Sequence, residues 1–249
     1  MAVRVRRERA EEARAVMVDL FPEGFEESDR GGDEIELAAY TTCGRDERLR
    51  VLGPVSATPV EQGWEEAWKR FHRPVRVGPL WVGPPWETPD AGSVPVVVDP
   101  GRAFGTGAHA TTRLCLELLT ELRPTSLVDL GCGSGVLAIA AAKLGFAPVV
   151  ALDSDEAAVQ ATRANSAANR TAVEARRTDV LADTLPGADV AVANIALPVV
   201  ERLGGRLAAE LLVSSGYFVG AEPRLPSWRL LERREAEGWA ADLLARRES

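Results

Sequence analysis

The spacing of apolar positions changes several times along the chain, and each change marks a predicted element. Val3–Val5 opens as a strand, and Ala10, Ala13, Val16, Met17 and Leu20 then recur at helical spacing, predicting a helix over Glu8–Leu20. The Gly-Gly within Ser28–Asp33 reads as a turn, and Glu34–Tyr40 (EIELAAY) as a second strand. Residues 1–58 are therefore expected to form a small α/β domain.

From Gly53 to Pro95 the texture alters. Prolines fall at 54, 59, 74, 79, 84, 85, 89 and 95, with Trp64, Trp68, Trp81 and Trp86 among them. Proline fixes φ and removes a hydrogen-bond donor, so residues 59–94 read as a stiff, mostly irregular linker. A short helix over Glu61–Phe71 and an extended piece over Val75–Val82 are predicted within it. The tryptophans could pack between domains or line a groove.

Beyond Pro95 strands and helices alternate. Strands are predicted at Val96–Asp99, Leu127–Leu130, Pro148–Leu152, Val173–Arg177, Ala188–Ala193, Leu211–Val219 and Gly238–Leu244. Helices are predicted at Ala110–Leu122, Val136–Leu144, Glu156–Ala168 and from Pro198 to about Glu210. Short apolar strands separated by helices of this length imply a parallel sheet covered on both faces. Residues 95–249 are accordingly expected to form one Rossmann-like α/β domain.

Composition narrows the field. The 249 residues are 46% hydrophobic and 27% charged, as in ordinary globular proteins. The charged N-terminus has no apolar segment behind it, and no run approaches ~18 apolar residues, so a cytoplasmic protein with no membrane span is expected. Cys43, Cys115 and Cys132 are isolated, and His72 and His109 are too few for a zinc cluster, so neither a disulfide framework nor a metal is expected. The net charge of −8 disfavours direct nucleic-acid binding.

Candidate chemistry centres on Leu127–Gly135 (LVDLGCGSG). A buried strand enters a loop with Gly131, Gly133 and Gly135 at alternate positions, then a helix. Glycines let a ligand lie against the backbone. A dinucleotide site favours GxGxxG with pyrophosphate at the helix N-terminus. The pattern here is GxGxG, which suits a ligand without phosphates and points to S-adenosyl-L-methionine. Asp153, about twenty residues on at the next strand end, can accept both ribose hydroxyls. The alternatives are a tight turn with a solvent-facing acid, or NAD or FAD.

In an open α/β sheet ligands bind beyond the carboxyl ends of the strands, which places Asn194 at the reaction centre. Its side-chain oxygen can accept a hydrogen bond from an amine and aim the nitrogen lone pair, a catalytic role; equally, it could end the strand and cap the next helix. Asp179 is placed to meet an adenine amino group or to sit in a solvated loop. Phe104, Gly105, Thr106 and Gly107 form a pliable loop beside an aromatic, suited to closing over a cofactor. Thr111 and Thr112 could cap the helix that follows. His109 could be a general base or could order the loop, and it is not assigned to catalysis.

Asp99–Thr112 (DPGRAFGTGAHATT), Asp129–Gly145 (DLGCGSGVLAIAAAKLG) and Ala193–Ile195 occur in the order seen in the ribosomal protein L-eleven methyltransferase family (PrmA-type), which the chain resembles. Trp64–Pro74 and Leu80–Glu87 also resemble that family's linker. The resemblance implies an S-adenosylmethionine-dependent protein N-methyltransferase with a small N-terminal substrate-recognition domain and a ribosomal protein as partner. It implies that Thr112, Gly131, Asp153 and Asn194 contact the cofactor and that Phe104–Gly107 covers it. Ala110 stands where the family usually has proline, and Asn194-Ile-Ala-Leu where it has Asn-Ile-Leu-Ala. Glu222–Ser227, with two prolines, replaces the family's full helix before its last two strands. Other acceptors (another protein lysine, a small amine, RNA) and a catalytically silent cofactor-binding protein are the alternative functions. A monomer is expected, though the sequence leaves oligomeric state open.

Overall fold

The computed structural model of the chain describes residues 1–10, 13, 16, 17, 20, 26–29, 33–39, 47–56, 73–99 and 109–247. The chain divides into two compact units, Met1–Ala67 and Trp68–Ser249.

The first unit is built on an antiparallel sheet. Strands β1 (Ala2–Arg6), β2 (Glu26–Asp29), β3 (Glu34–Ala38) and β4 (Val55–Ser56) lie in the order β2-β3-β1-β4. Val3, Val5, Ile35 and Leu37 point to one face and bury Met17, Leu49 and Leu52 against it, the latter two from α1 (Glu47–Leu52). Alternation sends Arg4 and Glu36 to a common neighbourhood, where they pair at 2.8 Å. Ser28 and Asp29 extend β2 rather than forming the predicted turn, because Glu36 and Ile35 of β3 pair with them.

Among its described residues, the second unit begins with a hairpin. The predicted extended piece splits into β5 (Val75–Val77) and β6 (Leu80–Gly83), because Gly78 adopts φ +53° and reverses the chain. β7 (Val94–Val97) adds in parallel to β6, completing a three-stranded sheet. The predicted Glu61–Phe71 helix lies outside the described residues.

The main sheet contains β8 (Leu127–Leu130), β9 (Val149–Asp153), β10 (Val173–Arg177), β11 (Val190–Asn194), β12 (Leu211–Phe218), β13 (Trp228–Ala236) and β14 (Trp239–Arg246). Their order is β10-β9-β8-β11-β12-β14-β13. The first five are parallel; the final strand β14 is inserted beside β12 and antiparallel to it, and β13 pairs antiparallel with β14 at the edge. The order reverses between β8 and β11, the switch point at which such sheets open a ligand crevice.

Both faces of the central parallel strands are buried. Leu127, Val190, Val192 and Val213 face α2 (Ala110–Glu121), α3 (Val136–Lys143) and α4 (Glu156–Asn169), while Val128, Leu130, Ala191 and Leu212 face α5 (Leu197–Leu203). Helix α5 stops seven residues short of expectation, where Gly204-Gly205 interrupt it. Between β12 and β13 no helix forms. Instead Leu225 and Trp228 insert against α5, and the Trp228 indole N–H donates to the Gly204 carbonyl at 2.8 Å.

Candidate active site

The glycine loop is fastened to the end of β9 and packed against neighbouring side chains. The N–H groups of Gly131 and Cys132 both donate to the Leu152 carbonyl, at 2.8 and 3.0 Å, fastening the loop to the end of β9. Gly131, Gly133 and Gly135 have φ of +78°, +53° and +81°, backbone angles that disfavour any side chain. A Cβ on Gly131 would lie 2.5 Å from the Ile195 side chain, and one on Gly135 would lie 2.8 Å from Thr162. Internal packing alone therefore requires two of the three glycines.

Helix α4 supplies fastenings that the sequence reading missed. Thr162, Asn165 and Asn169 share one face and are buried. Thr162 Oγ1 donates to the Gly133 carbonyl (3.0 Å), and Asn165 Nδ2 to the Ser134 carbonyl (3.0 Å). Asn165 Oδ1 accepts from the Asp99 N–H at 3.1 Å, and Asn169 Oδ1 from the Val97 N–H at 2.9 Å. One polar stripe thus ties the glycine loop to the segment that leads into residues 100–108. Its three-and-four spacing in TRANSAAN was the available signal, but polar stripes usually face water.

Asp153 ends β9. Its Oδ2 accepts from the Gly133 N–H and its Oδ1 from the Asp155 N–H, each at 3.0 Å, so each oxygen retains a lone pair for another donor.

Asp129 was not singled out from sequence. Alternation places it on the face of Leu127, beneath α3, at 1% exposure. Helix α3 has no side-chain cap from Gly135, and Asp129 Oδ2 takes the Ala138 N–H at 3.2 Å instead. Burial pushes the Asp129 carboxyl up to about 7, opposed by that hydrogen bond and reinforced by the charge of Asp153. Burial also raises the neighbouring Cys132 thiol to about 12, so it is no nucleophile.

Asn194 ends β11, half-buried, in register with Ser215 of β12. It does not cap the helix that follows. The cap position of α5 is Ala196, which makes no side-chain bond. Instead Asn194 Nδ2 donates to Thr112 Oγ1 at 3.4 Å, and its Oδ1 has no hydrogen-bond partner among the described residues. Thr112 is buried in the first turn of α2, whose cap is the His109 ring rather than a threonine: Nδ1 lies 3.4 Å from the donating Thr111 N–H and 2.8 Å from Thr111 Oγ1. Asp179 is exposed, and its Oδ1 accepts the Leu181 N–H at 2.9 Å in a local turn. Phe104, Gly105, Thr106 and Gly107 lie outside the described residues.

The structure therefore brings Gly131, Gly133, Asp153, Asn194 and Thr112 into one chain of contacts at the switch point. Asp153 meets Gly133, Gly131 abuts Ile195, and Asn194 meets Thr112. The family model described as ribosomal protein L11 methyltransferase (PrmA) matches residues 25–221. The chain belongs to the ribosomal protein L11 methyltransferase family.

Members of this family surround it in sequence and structure. A ribosomal protein L11 methyltransferase of Symbiobacterium thermophilum is 40% identical, over 85% of this chain and 77% of the relative. One from Yersinia pseudotuberculosis is 47% identical over 54% of this chain, which spans about half that relative's length (48%). The crystal structure of a ribosomal protein L11 methylase from Lactobacillus delbrueckii subsp. bulgaricus is 28% identical and superposes with a TM-score of 0.62, covering 71% of this chain and all of that one (100%). The fold is the Rossmann-like methyltransferase fold, and the protein is an enzyme of the methyltransferase class. Enzymes of this class generally use S-adenosylmethionine.

Proposed function

We propose that the enzyme methylates amino groups of ribosomal protein L11, both lysine side chains and the N-terminal α-amine, using S-adenosyl-L-methionine. The observation that carries this reading is Asn194, its amide turned by Thr112 so that Oδ1 accepts from no described residue, beside the glycine loop at the switch point. The names of the relatives supply the acceptor.

The residues fit the cofactor. Three left-handed glycines make a cradle without side chains, and Asp153 has acceptor capacity left for two hydroxyls. Gly131, Gly133 and Asp153 would hold the nucleoside, with Asp179 near the adenine. Thr112 and Asn194 would meet the methionine end, and Phe104–Gly107 would cover it. When bound, the cofactor supplies a methyl on a sulfonium, which needs only an aligned nucleophile.

Alignment falls to Asn194: Oδ1 accepts one amine N–H and so directs the lone pair. The amine must be neutral. At pH 7 a lysine is only about 0.04% neutral, an α-amine roughly 10–20%. An apolar surround raises both fractions. The α-amine should therefore be modified before lysine at neutral pH. No paired carboxylate or Ser-His-Asp set is needed. Among the described residues no helix is long and apolar enough to cross a membrane, and a ribosomal acceptor sets the work in the cytoplasm.

Incubating the full chain with labelled S-adenosylmethionine and dissociated ribosomal proteins tests this reading. Label on L11, reaching the α-amine first, is expected. Label on another protein, on RNA, or on none would overturn it.

A further inference from the structure

Phe218, at the end of β12, is 64% exposed, and Val219 beside it is 39% exposed. Phe218 is stacked on Trp239, its cross-strand partner in β14, with ring centroids 4.4 Å apart and planes at 25°. Trp239 also meets the His109 ring, with centroids 4.9 Å apart and planes at 69°. A ring stacked on one face and open to water on the other leaves an apolar shelf that the fold itself does not use.

Two routes join this shelf to the reaction centre. His109 caps the helix whose first turn holds Thr112, and Thr112 binds Asn194, so Trp239 and Asn194 flank one helical turn. Independently, β12 carries a bulge between Ser215 and Tyr217, where Gly216 adopts φ +102°. A Cβ on Gly216 would lie 2.2 Å from the Ile195 carbonyl oxygen, so the bulge is pressed against the residue next to Asn194. Bulges re-aim side chains beside active sites. Here Tyr217 turns inward to Ser214 and Asp242, and Phe218 turns out. The rim is charged, with Arg113 paired to Glu237.

We propose that Phe218 and Trp239 are specificity residues that carry the aliphatic arm of a lysine, laying its methylenes across the rings while its nitrogen meets Asn194. The proposal rests on the amine methylation argued above and adds a selection among amines. A lysine nitrogen ends a four-carbon apolar stem that can lie on an aromatic face, whereas an α-amine has no such stem. The shelf thus offsets part of the protonation disadvantage of lysine.

The test compares the unaltered chain with Phe218→Ala and Trp239→Phe, using purified L11 and mass spectrometry of initial products. Phe218 is exposed, so its truncation leaves the core intact. Uncovering about two methylenes should lower the ratio of lysine to α-amine methylation about tenfold in Phe218→Ala. Trp239→Phe, which keeps a ring, should lower it about threefold. Affinity for S-adenosylmethionine by calorimetry should stay within about twofold in both. Where lysine alone is modified, the same loss should appear in kcat/KM, through KM. An unchanged ratio, an equal loss for both amines, or an unaltered chain that modifies the α-amine alone would overturn the shelf while leaving amine methylation standing. No transfer to L11 by the unaltered chain would remove both.

Discussion

The parallel half of the main sheet and its antiparallel end each bury an aspartate at 1% exposure, and they treat it in opposite ways. Asp129, in the parallel half, receives one backbone N–H and, among the described residues, no cation, and burial drives it toward its neutral form. Asp242, in the antiparallel end, receives a two-pronged bond from Arg233 at 2.7 and 2.8 Å and the Tyr217 hydroxyl at 2.9 Å. Arg233 also donates to the Ala221 carbonyl, so the pair holds the segment that replaces a helix between β12 and β13. The acid without a charged partner lies under the glycine loop and α3, and the compensated one braces the strand end that carries Phe218. A fixed charge pair suits a brace.

The largest effect should come from breaking the brace. Arg233→Ala leaves Asp242 buried without its cation and should cost about 3–5 kcal/mol in urea denaturation. Replacing both members, as Arg233→Met with Asp242→Leu, should recover most of that loss. A mild single-variant loss would show the pair to be ornamental.

Next is the pH response of Asp129. Its folded value of about 7 lies above the ordinary 3.8, so between about pH 4 and 7 the folded chain keeps a proton that the unfolded chain releases. This contribution is full below pH 4 and is lost as pH rises through 7. Asp129→Asn cannot lose it, so the variant should gain on the unaltered chain across that window, by up to about 4 kcal/mol. Denaturation midpoints whose difference stays flat with pH would contradict a neutral Asp129.

Asn165→Ala should have the smallest effect. It removes the bonds to the Ser134 carbonyl and the Asp99 N–H, costing about 1–3 kcal/mol. Hydrogen exchange should rise at Asp99. Unchanged exchange would mean the stripe on α4 does not anchor that segment.

The same contrast explains what was legible in the sequence. Gly131, Asp153 and Asn194 were readable because each sits at a strand end, where a local pattern fixes both position and exposure. Asp129 was not, since its role depends on α3 lying over it and lacking its own cap. Thr162, Asn165 and Asn169 were missed for a similar reason: their partners lie about 30 or more residues away, which helical periodicity does not encode. The β5–β6 hairpin was hidden because Gly78 turns the chain within what reads as one extended run. His109 was weighed as base or loop anchor, and the structure uses its ring to cap α2.

Titration calorimetry of S-adenosylmethionine into the full chain and into Asp153→Ala tests the central claim most directly. The unaltered chain should bind, and losing the carboxylate at the end of β9 should weaken binding by about tenfold or more. Equal affinity in the two proteins, or no binding to the unaltered chain, would contradict a cofactor cradle at the switch point.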